Sequence, residues 1–555
     1  MSSSAHAAAL HFLEHETEFH LGFLPTEQSH PATRTLEADF KRSSIDGVRT
    51  LQRPDRDVLA MARRVLAGEA FARLVADGDK TLSGGGRIVF SGCGATGRLS
   101  ILLEAMWRRY RADRGGTGAG DEVFSLMTGG DFALIKSVES FEDYQSFGRR
   151  QVADMGFASR DMLVAVTEGG ETSSVIGTVK EAAERGGRVH LLFNNPAPLL
   201  RERLVRCREV IDDARVSALD LSCGPMALAG STRMQATTSE QLVAGAFLET
   251  LAARMEGRTA APDAARGFAR ALDRLGSDAG AAQLAERIDF EADIYARGGL
   301  VTYLADDYLL DLFTDTTERS PTFMLPPFRR DDDDRSPLPW AFVKNPIHDT
   351  KTTWARMLGR APRCLDWTAG DYRMLGAAEP LAAAPPTLNR EALYRYAVGN
   401  EPAPERFARP GSGAVVAMVE GAPGNEALAA AATGYPVLAT WRFGAGAEET
   451  PLGLERHLAF KLAINTISTG VMTKLGRVSG NWMSWVGVSN KKLIDRAARL
   501  VSELGGLPYR EACFALFEAM AAADAAADAG GEKPSAVQVA LKRRKEGPPP
   551  SRCGF

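Results

Sequence analysis

Gly92-Cys93-Gly94-Ala95-Thr96-Gly97-Arg98-Leu99-Ser100 stands between the apolar run Arg87 to Ser91 and an amphipathic stretch from Ile101 to Trp107. A strand that turns through glycines directly into a helix is the unit from which parallel sheets are wound, so this stretch narrows the fold more than any other. The alternation continues downstream. Arg87 to Phe90, Val123 to Met127, Met162 to Val166 and Val189 to Phe193 are short apolar runs, separated by segments long enough for crossover helices. A second such pattern opens at Arg297-Gly298-Gly299-Leu300-Val301-Thr302-Tyr303-Leu304, which resembles Gly85-Gly86-Arg87-Ile88-Val89-Phe90. Trp340 to Val343, Ala414 to Val419 and Pro436 to Thr440 supply its remaining strands, and internal duplication is the simplest account. The fold class is therefore α/β, with two parallel sheets. The helical spacing from Asp57 to Leu66 adds N-terminal helices, and a helix over about 231 to 256 closes the first pattern.

A chain of 555 residues that is 45% hydrophobic has material for more than one core, since chains beyond roughly 250 to 300 residues divide into domains. Its 66 basic and 70 acidic residues are spread evenly for a net charge of −4, which excludes the basic footprint of a nucleic-acid partner. The start lacks a basic leader, and the sequence contains no membrane-length apolar run, so neither a signal peptide nor a membrane partner is expected and the cytoplasm is the expected location. Cys93, Cys207, Cys223, Cys364, Cys513 and Cys553 show no C-x-x-C spacing and read as reduced thiols, with neither disulfide nor metal assigned. No cofactor is expected.

The glycine turn has a chemical reading. Backbone N–H groups exposed by glycines approach an anion, the helix N-terminus adds partial positive charge, and Thr96 or Ser100 adds a hydroxyl donor. The plain alternative is a tight structural turn. The G-x-G-x-x-G spacing also suits a dinucleotide, but Val123 to Met127 leads into Thr128-Gly129-Gly130-Asp131 rather than to an acidic residue placed for a ribose. A second apolar strand runs into Thr167-Glu168-Gly169-Gly170-Glu171-Thr172-Ser173-Ser174-Val175-Ile176-Gly177. Two such loops at the carboxyl ends of one sheet imply a small phosphorylated ligand.

These two loops, Asn195-Pro196, and Gly230-Ser231-Thr232-Arg233-Met234 together resemble the sugar isomerase (SIS) domain of the N-acetylmuramic acid 6-phosphate etherase family. Leu24-Pro25-Thr26-Glu27-Gln28-Ser29-His30-Pro31 is similar to that family's opening, and Leu462 to Gly470, Gly476 to Met483 and Asn490 to Leu493 to its later motifs. Those later motifs lie a domain's length further on than in the etherases, a layout similar to the glucokinase regulatory protein, with two SIS domains and a helical lid. The resemblance implies tandem flavodoxin-like domains: an N-terminal helical segment over 1–70, a first SIS domain over 71–258, a connector over 259–285, a second SIS domain over 286–490, and a lid with a tail over 491–555.

It also implies a division of labour. The second domain carries Leu304-Ala305-Asp306-Asp307-Tyr308 where the first has its glycine loop, and two carboxylates there would repel a phosphate. The family's catalytic glutamate falls near Met106 in the first half, with Glu104 out of register, and is restored as Glu318 in Glu318-Arg319-Ser320-Pro321-Thr322-Phe323. Its second carboxylate matches Glu139, and a family lysine appears as Gln241 in the first half but Lys461 in the second. One composite site per chain follows, with Glu139 and Glu318 catalytic. Gly94, Ala95, Thr96, Gly97, Arg98, Gly170, Glu171, Thr172, Ser173, Ser231, Arg233 and Lys461 bind the substrate. Gly169 and Glu171 replace the family's serine and arginine in the second loop.

The implied reaction is β-elimination of lactate from a phosphorylated amino sugar. The alternative is a non-catalytic sensor whose phosphosugar controls a sugar kinase, with isomerase chemistry a further option. A monomer is expected because the tandem supplies both halves, and a homodimer is the other possibility. Elsewhere, His11, His15, Glu16 and His20 read as a solvated helix rather than metal ligands, and Asp331 to Asp334 as a solvated loop. Trp482 and Trp485 read as lid packing, and Gly547-Pro548-Pro549-Pro550 as a disordered tail.

Overall fold

The computed structural model describes residues 3–115, 120–528 and 534–546; Gly547 to Pro550 lie outside them. The first apolar runs form β1 (Ile88–Gly92), β2 (Val123–Met127), β3 (Met162–Thr167) and β4 (Arg188–Phe193), joined by an additional β5 (Val216–Asp220). All pair in parallel, in the order β2-β1-β3-β4-β5. The second set forms β6 (Val301–Leu304), β7 (Ala341–Lys344), β8 (Gly413–Val419) and β9 (Val437–Phe443), in the order β7-β6-β8-β9. Both follow the flavodoxin-like arrangement, in which the strand order reverses between the first and third strands of the sheet. β5 escaped the sequence reading because it is an edge strand whose burial is interrupted at Ser217 and Ala218, so no continuous apolar run marks it.

Two long helices, Gln235–Met255 and Leu454–Lys474, are buried along nearly their whole length. Apolar and small residues lie on every side of them rather than in one stripe, as burial on every side requires, and polar residues such as Glu240, Glu249, Lys461 and Asn465 are buried with them. Threonines within them turn their hydroxyls back onto the preceding turn, as Thr238 does to the Met234 carbonyl at 2.7 Å and Thr466 to the Leu462 carbonyl at 2.7 Å. The helices meet where Gly245 leaves room: a Cβ there would stand 2.4 Å from Leu454 Cδ1.

The two halves are also pinned electrostatically. Glu104, fully buried, receives Arg108 at 2.8 Å, Arg360 at 2.9 Å and Arg363 at 3.0 Å. Against the cost of burial, those guanidiniums hold its carboxyl down to about 2. This out-of-register glutamate is thus a structural hub.

The N-terminal and C-terminal helical segments pack on each other. Helix Ser3–His15 packs on helix Tyr509–Asp528, with the His6 and Phe514 rings stacked 4.7 Å apart. Buried Glu27 pairs with Arg496 at 2.7 Å and Arg499 at 2.8 Å, and the Leu21 N–H donates to Asp495 at 3.0 Å. Among the described residues, no helix is long and apolar enough to cross a membrane.

Candidate functional site

The place where strand order reverses in the first sheet lies between β1 and β3, and in open α/β sheets the crevice beyond the carboxyl ends of such strands receives ligands. A cleft opens there, lined by Gly94, Ala95, Glu142, Glu168, Thr172, Ser231, Arg233, Glu318, Asn490 and Lys492 among others.

Its first wall is the turn after β1. Gly94 has φ of +58°, a region L side chains rarely adopt, and helix Ala95–Ala112 starts immediately after it. A Cβ on Gly92 would lie 2.5 Å from the Thr96 carbonyl carbon, so only glycine lets the strand end approach the helix this closely. Thr96 is occupied within the turn, accepting from the Cys93 N–H at 3.0 Å and donating to the Cys93 carbonyl at 2.8 Å. It shapes the loop from beneath instead of facing the cleft. Arg98 is likewise buried beneath the loop. It donates to the carbonyls of Leu134 at 3.2 Å and Ala133 at 2.9 Å, to Ser137 at 2.9 Å, and to the carboxylate of Glu318. An arginine of the first half therefore fixes the glutamate of the second half at the cleft.

The second wall follows β3. Gly170 takes φ of +79°, Thr172 precedes helix Ser173–Glu184, and the Thr167 hydroxyl donates to Thr172 Oγ1 at 3.1 Å. Glu171, at the position where the etherases have arginine, turns to Lys492 at 2.8 Å and Arg206 at 3.4 Å. These cations hold its pKa below the usual carboxylate value despite burial, so its charge is neutralised within the protein.

The third wall is Gly230 to Arg233, with the lid pressed on it: a Cβ on Gly230 would stand 2.7 Å from Arg496 Cδ. Arg233 spends two nitrogens on Asp315 at 2.6 Å and Thr469 at 2.8 Å. Its Nε and the Ser231 hydroxyl are buried with no hydrogen-bond partner in the protein. Two unpaired donors at one wall of a cleft are unusual, because buried polar groups are almost always satisfied.

Of the residues expected from sequence, the structure thus brings Gly94, Ala95, Thr172, Ser231, Arg233 and Glu318 to the cleft and places Thr96 and Arg98 behind its walls. Gly170 and Glu171 belong to the supporting loop after β3, while Gly97 and Ser173 lie in the first turns of helices Ala95–Ala112 and Ser173–Glu184. Glu139 opens the one-turn helix Glu139–Phe141, in a segment whose neighbours Ser137 and Glu142 line the cleft. Lys461 is not among the lining residues. Its ammonium is buried against the Arg233 carbonyl, Thr238 and Asn465, each at 2.9 Å. Burial, with Arg233 nearby, brings its pKa down to about 7.

Other residues enter that sequence reasoning did not select. Asn490 donates to Glu142 at 2.6 Å and caps helix Lys491–Gly505 through the Leu493 N–H at 2.9 Å. Lys492 arrives from that same helix. Glu168, the first residue after the wholly buried β3, has Oε1 buried without a partner. Burial pushes its pKa up to about 7, against the pull of Lys492 and a Thr232 hydrogen bond and with the help of Glu318 and Glu171. Its sequence signal was an acidic residue where an apolar strand enters a glycine loop.

At the first loop of the second sheet, Asp307 accepts the Gly424 N–H at 2.8 Å and Asp306 accepts Asn345 at 2.7 Å, so the turn's carboxylates engage donors from the loops after β8 and β7.

Residues 69–183 match the family model described as the glucokinase regulatory protein N-terminal SIS domain. Over 226 residues the chain is 33% identical to the N-acetylmuramic acid 6-phosphate etherase of Yersinia pestis, covering 40% of this chain and 68% of that one. Over 224 residues it is 28% identical to N-acetylmuramic acid 6-phosphate etherase 1 of Bacillus licheniformis, covering 40% and 67%. Among solved structures, the C-terminal domain of glucosamine-fructose-6-phosphate aminotransferase from Francisella tularensis aligns over 79% of this chain and 97% of its own. Its TM-score is 0.45 and its identity 11%.

Proposed function

The chain belongs to the family of the N-acetylmuramic acid 6-phosphate etherases and the glucokinase regulatory protein, and on that premise we propose that its cleft binds a phosphorylated amino sugar and eliminates lactate from it. The observation that carries this reading is the reach of Glu318 from the second half onto Arg98 of the first, at a cleft whose other wall offers unpaired anion donors. One composite site per chain follows.

In this reading the phosphate sits on the start of helix Ala95–Ala112, with Thr172, Ser231 and the free Nε of Arg233 as side-chain donors. Glu139 and Glu318 flank the sugar. A carboxylate takes the C2 proton of the open-chain form, a protonated carboxyl supplies the ether oxygen at C3, and water adds back to the double bond. Such chemistry needs two carboxyls whose environments push their proton affinities apart.

The test is lactate release from N-acetylmuramic acid 6-phosphate by the purified protein, with Glu139→Gln and Glu318→Gln in parallel. Steady release that disappears in both variants supports the lyase. The match of residues 69–183 to the regulatory protein's domain supports a second reading, in which the same cleft senses the phosphosugar and a sugar kinase is the partner. Absence of lactate together with a melting temperature raised by the phosphosugar would favour that sensor.

A further inference from the structure

Beside the segment that carries Glu318 lies a second cavity, of about 230 Å³, whose walls come from both halves and the lid. It shares Ser137, Pro321 and Leu493 with the cleft, so the two adjoin. The cleft alone has about 120 Å³. Neither reaches the roughly 300 Å³ at which small-molecule sites begin, and together they do.

The cavity has a rigid apolar wall. Met324 takes φ of +51°, in the left-handed region, as no other non-glycine residue does among those described. Its carbonyl and that of Phe323 accept from Arg477 at 3.2 and 3.0 Å, and the Leu325 carbonyl accepts from Ser320 at 2.8 Å. Backbone strain of this kind persists where its surroundings impose it, and it gathers at ligand clamps. The turn delivers Leu325 to Phe328 to the cavity, where Trp340 and Leu493 extend the apolar lining.

Two polar atoms interrupt that wall. Thr316 and Thr317, each 4% exposed, line the cavity, and neither hydroxyl has a hydrogen-bond partner in the protein. Helical threonines of this chain ordinarily bond back to the preceding turn, as Thr314 does to the Asp311 carbonyl at 2.7 Å. These two leave buried hydrogen-bonding capacity unspent, a cost that a ligand would remove. The cations of the lining do not call for an anion: Arg319 is committed to Glu291 at 2.6 Å and Asp315 at 2.8 Å, and Lys136 is exposed to solvent. Buried hydroxyls on an apolar wall, with no free buried cation, match a neutral amide flanked by hydrocarbon.

We propose that this cavity binds the side arm of the phosphosugar, and that the arm it fits is a neutral, amide-bearing one with an apolar end. The proposal rests on the phosphosugar reading of the cleft, lyase or sensor alike, and refines its ligand class. A lactyl arm places a carboxylate against the two hydroxyls and leaves much of the wall uncovered. Extending that carboxyl as an amide to a small apolar residue removes the charge, gives the hydroxyls a carbonyl to donate to and an N–H to accept from, and adds hydrocarbon for the wall. N-acetylmuramic acid 6-phosphate remains a ligand through the cleft, but a weaker one.

The experiment is calorimetric titration with three phosphosugars. N-acetylglucosamine 6-phosphate has no arm. The other two are N-acetylmuramic acid 6-phosphate and its alanine methylamide, each with a methylene in place of the ether oxygen so that neither can be eliminated. All three should bind the wild type, the amide about 10-fold or more tighter than the free acid. The double variant Thr316→Val with Thr317→Val removes hydroxyls that have no partner to lose, so its melting temperature should not fall, while the advantage of the amide drops to about 3-fold or less. Gly487 also lines the cavity, outside the left-handed region and with nothing within 4 Å of an added Cβ. Gly487→Phe should therefore fill the space and abolish the advantage, leaving the affinity for N-acetylglucosamine 6-phosphate within about 2-fold. Equal affinity of the amide and the free acid for the wild type overturns the assignment, as does an advantage that survives in both variants. Failure of all three phosphosugars to bind defeats the phosphosugar reading itself, and the proposal with it.

Discussion

Removing the guanidinium of Arg98 while keeping the length of its side chain, as in Arg98→Met, tests whether the two halves are joined through the site. Arg98 is 0% exposed and the Glu318 side chain 12%, so solvent screens the pair little. The variant strands a buried carboxylate, two carbonyls and the Ser137 hydroxyl together. Breaking a buried ion pair from one side costs about 3 to 5 kcal/mol. Glu318→Gln is milder, about 1 to 2 kcal/mol, because the amide oxygen still accepts from a guanidinium that keeps its three other acceptors. The double variant has no charge left to strand. Its loss should fall short of the sum of the single losses by about 1.5 kcal/mol or more, the coupling expected of contacting residues in one network. Urea denaturation of the four proteins, followed by tryptophan fluorescence and by circular dichroism, measures the cycle. Losses that add to within about 0.5 kcal/mol would refute the claim that this pair energetically joins the halves.

Three further outcomes follow from the same geometry. Glu168 binds its proton more tightly when folded, so it favours the folded state most below its unfolded value of 4.5, and that contribution is lost as pH rises to about 7. Glu168→Gln should consequently flatten the decline, gaining up to about 3 kcal/mol relative to wild type at pH 8 compared with pH 4.5 in urea titrations; an unchanged difference between the two pH values would contradict the buried position. Gly92→Ala drives a Cβ to 2.5 Å from the Thr96 backbone, which cannot rotate away, and should lower stability by about 2 kcal/mol or more on thermal melting while weakening phosphosugar binding. Asn490→Ala removes the cap of helix Lys491–Gly505 and a donor to Glu142, an expected loss of about 1 kcal/mol, and a melting curve identical to wild type would count against it.

Much of the scaffold was legible because parallel strands buried on both faces read as unbroken apolar runs, as β1 to β4 and β6 to β8 do; β9 also grows from an apolar run, although its Val437 and Leu438 are exposed. β9 extends past its run to Phe443 through residues that alternate between exposed and buried, and β5 was invisible for a similar reason. At the site, local chemistry carried the glycine turns and the motif around Glu318. The functions of side chains that depend on distant chain did not follow from local pattern. Arg98 looked like a ligand contact beside a phosphate loop, but its partners are backbone carbonyls and a glutamate supplied by the other half. Lys461 shares a motif with the etherases, yet its surroundings are set by Arg233, Thr238 and Asn465, and only the crossing of two long helices brings these together. Lys492 could be weighed only once the lid was known to lie over the β3 loop.

The bond from Arg98 to Glu318 spans 220 positions of chain, and Lys492 reaches Glu171 across 321. During synthesis, which proceeds from the N-terminus at roughly 5 to 20 residues per second, the glycine turn emerges first and waits for both its glutamate and its lysine. A chain ending before the second sheet lacks the carboxylate partner of Arg98, and one ending before the lid lacks the Lys492 partner of Glu171 and keeps only Arg206. The order of translation therefore works as a timer: the cleft acquires its full set of charges only when almost all of the chain has left the ribosome, and premature termination yields a protein with the loops but without the pocket.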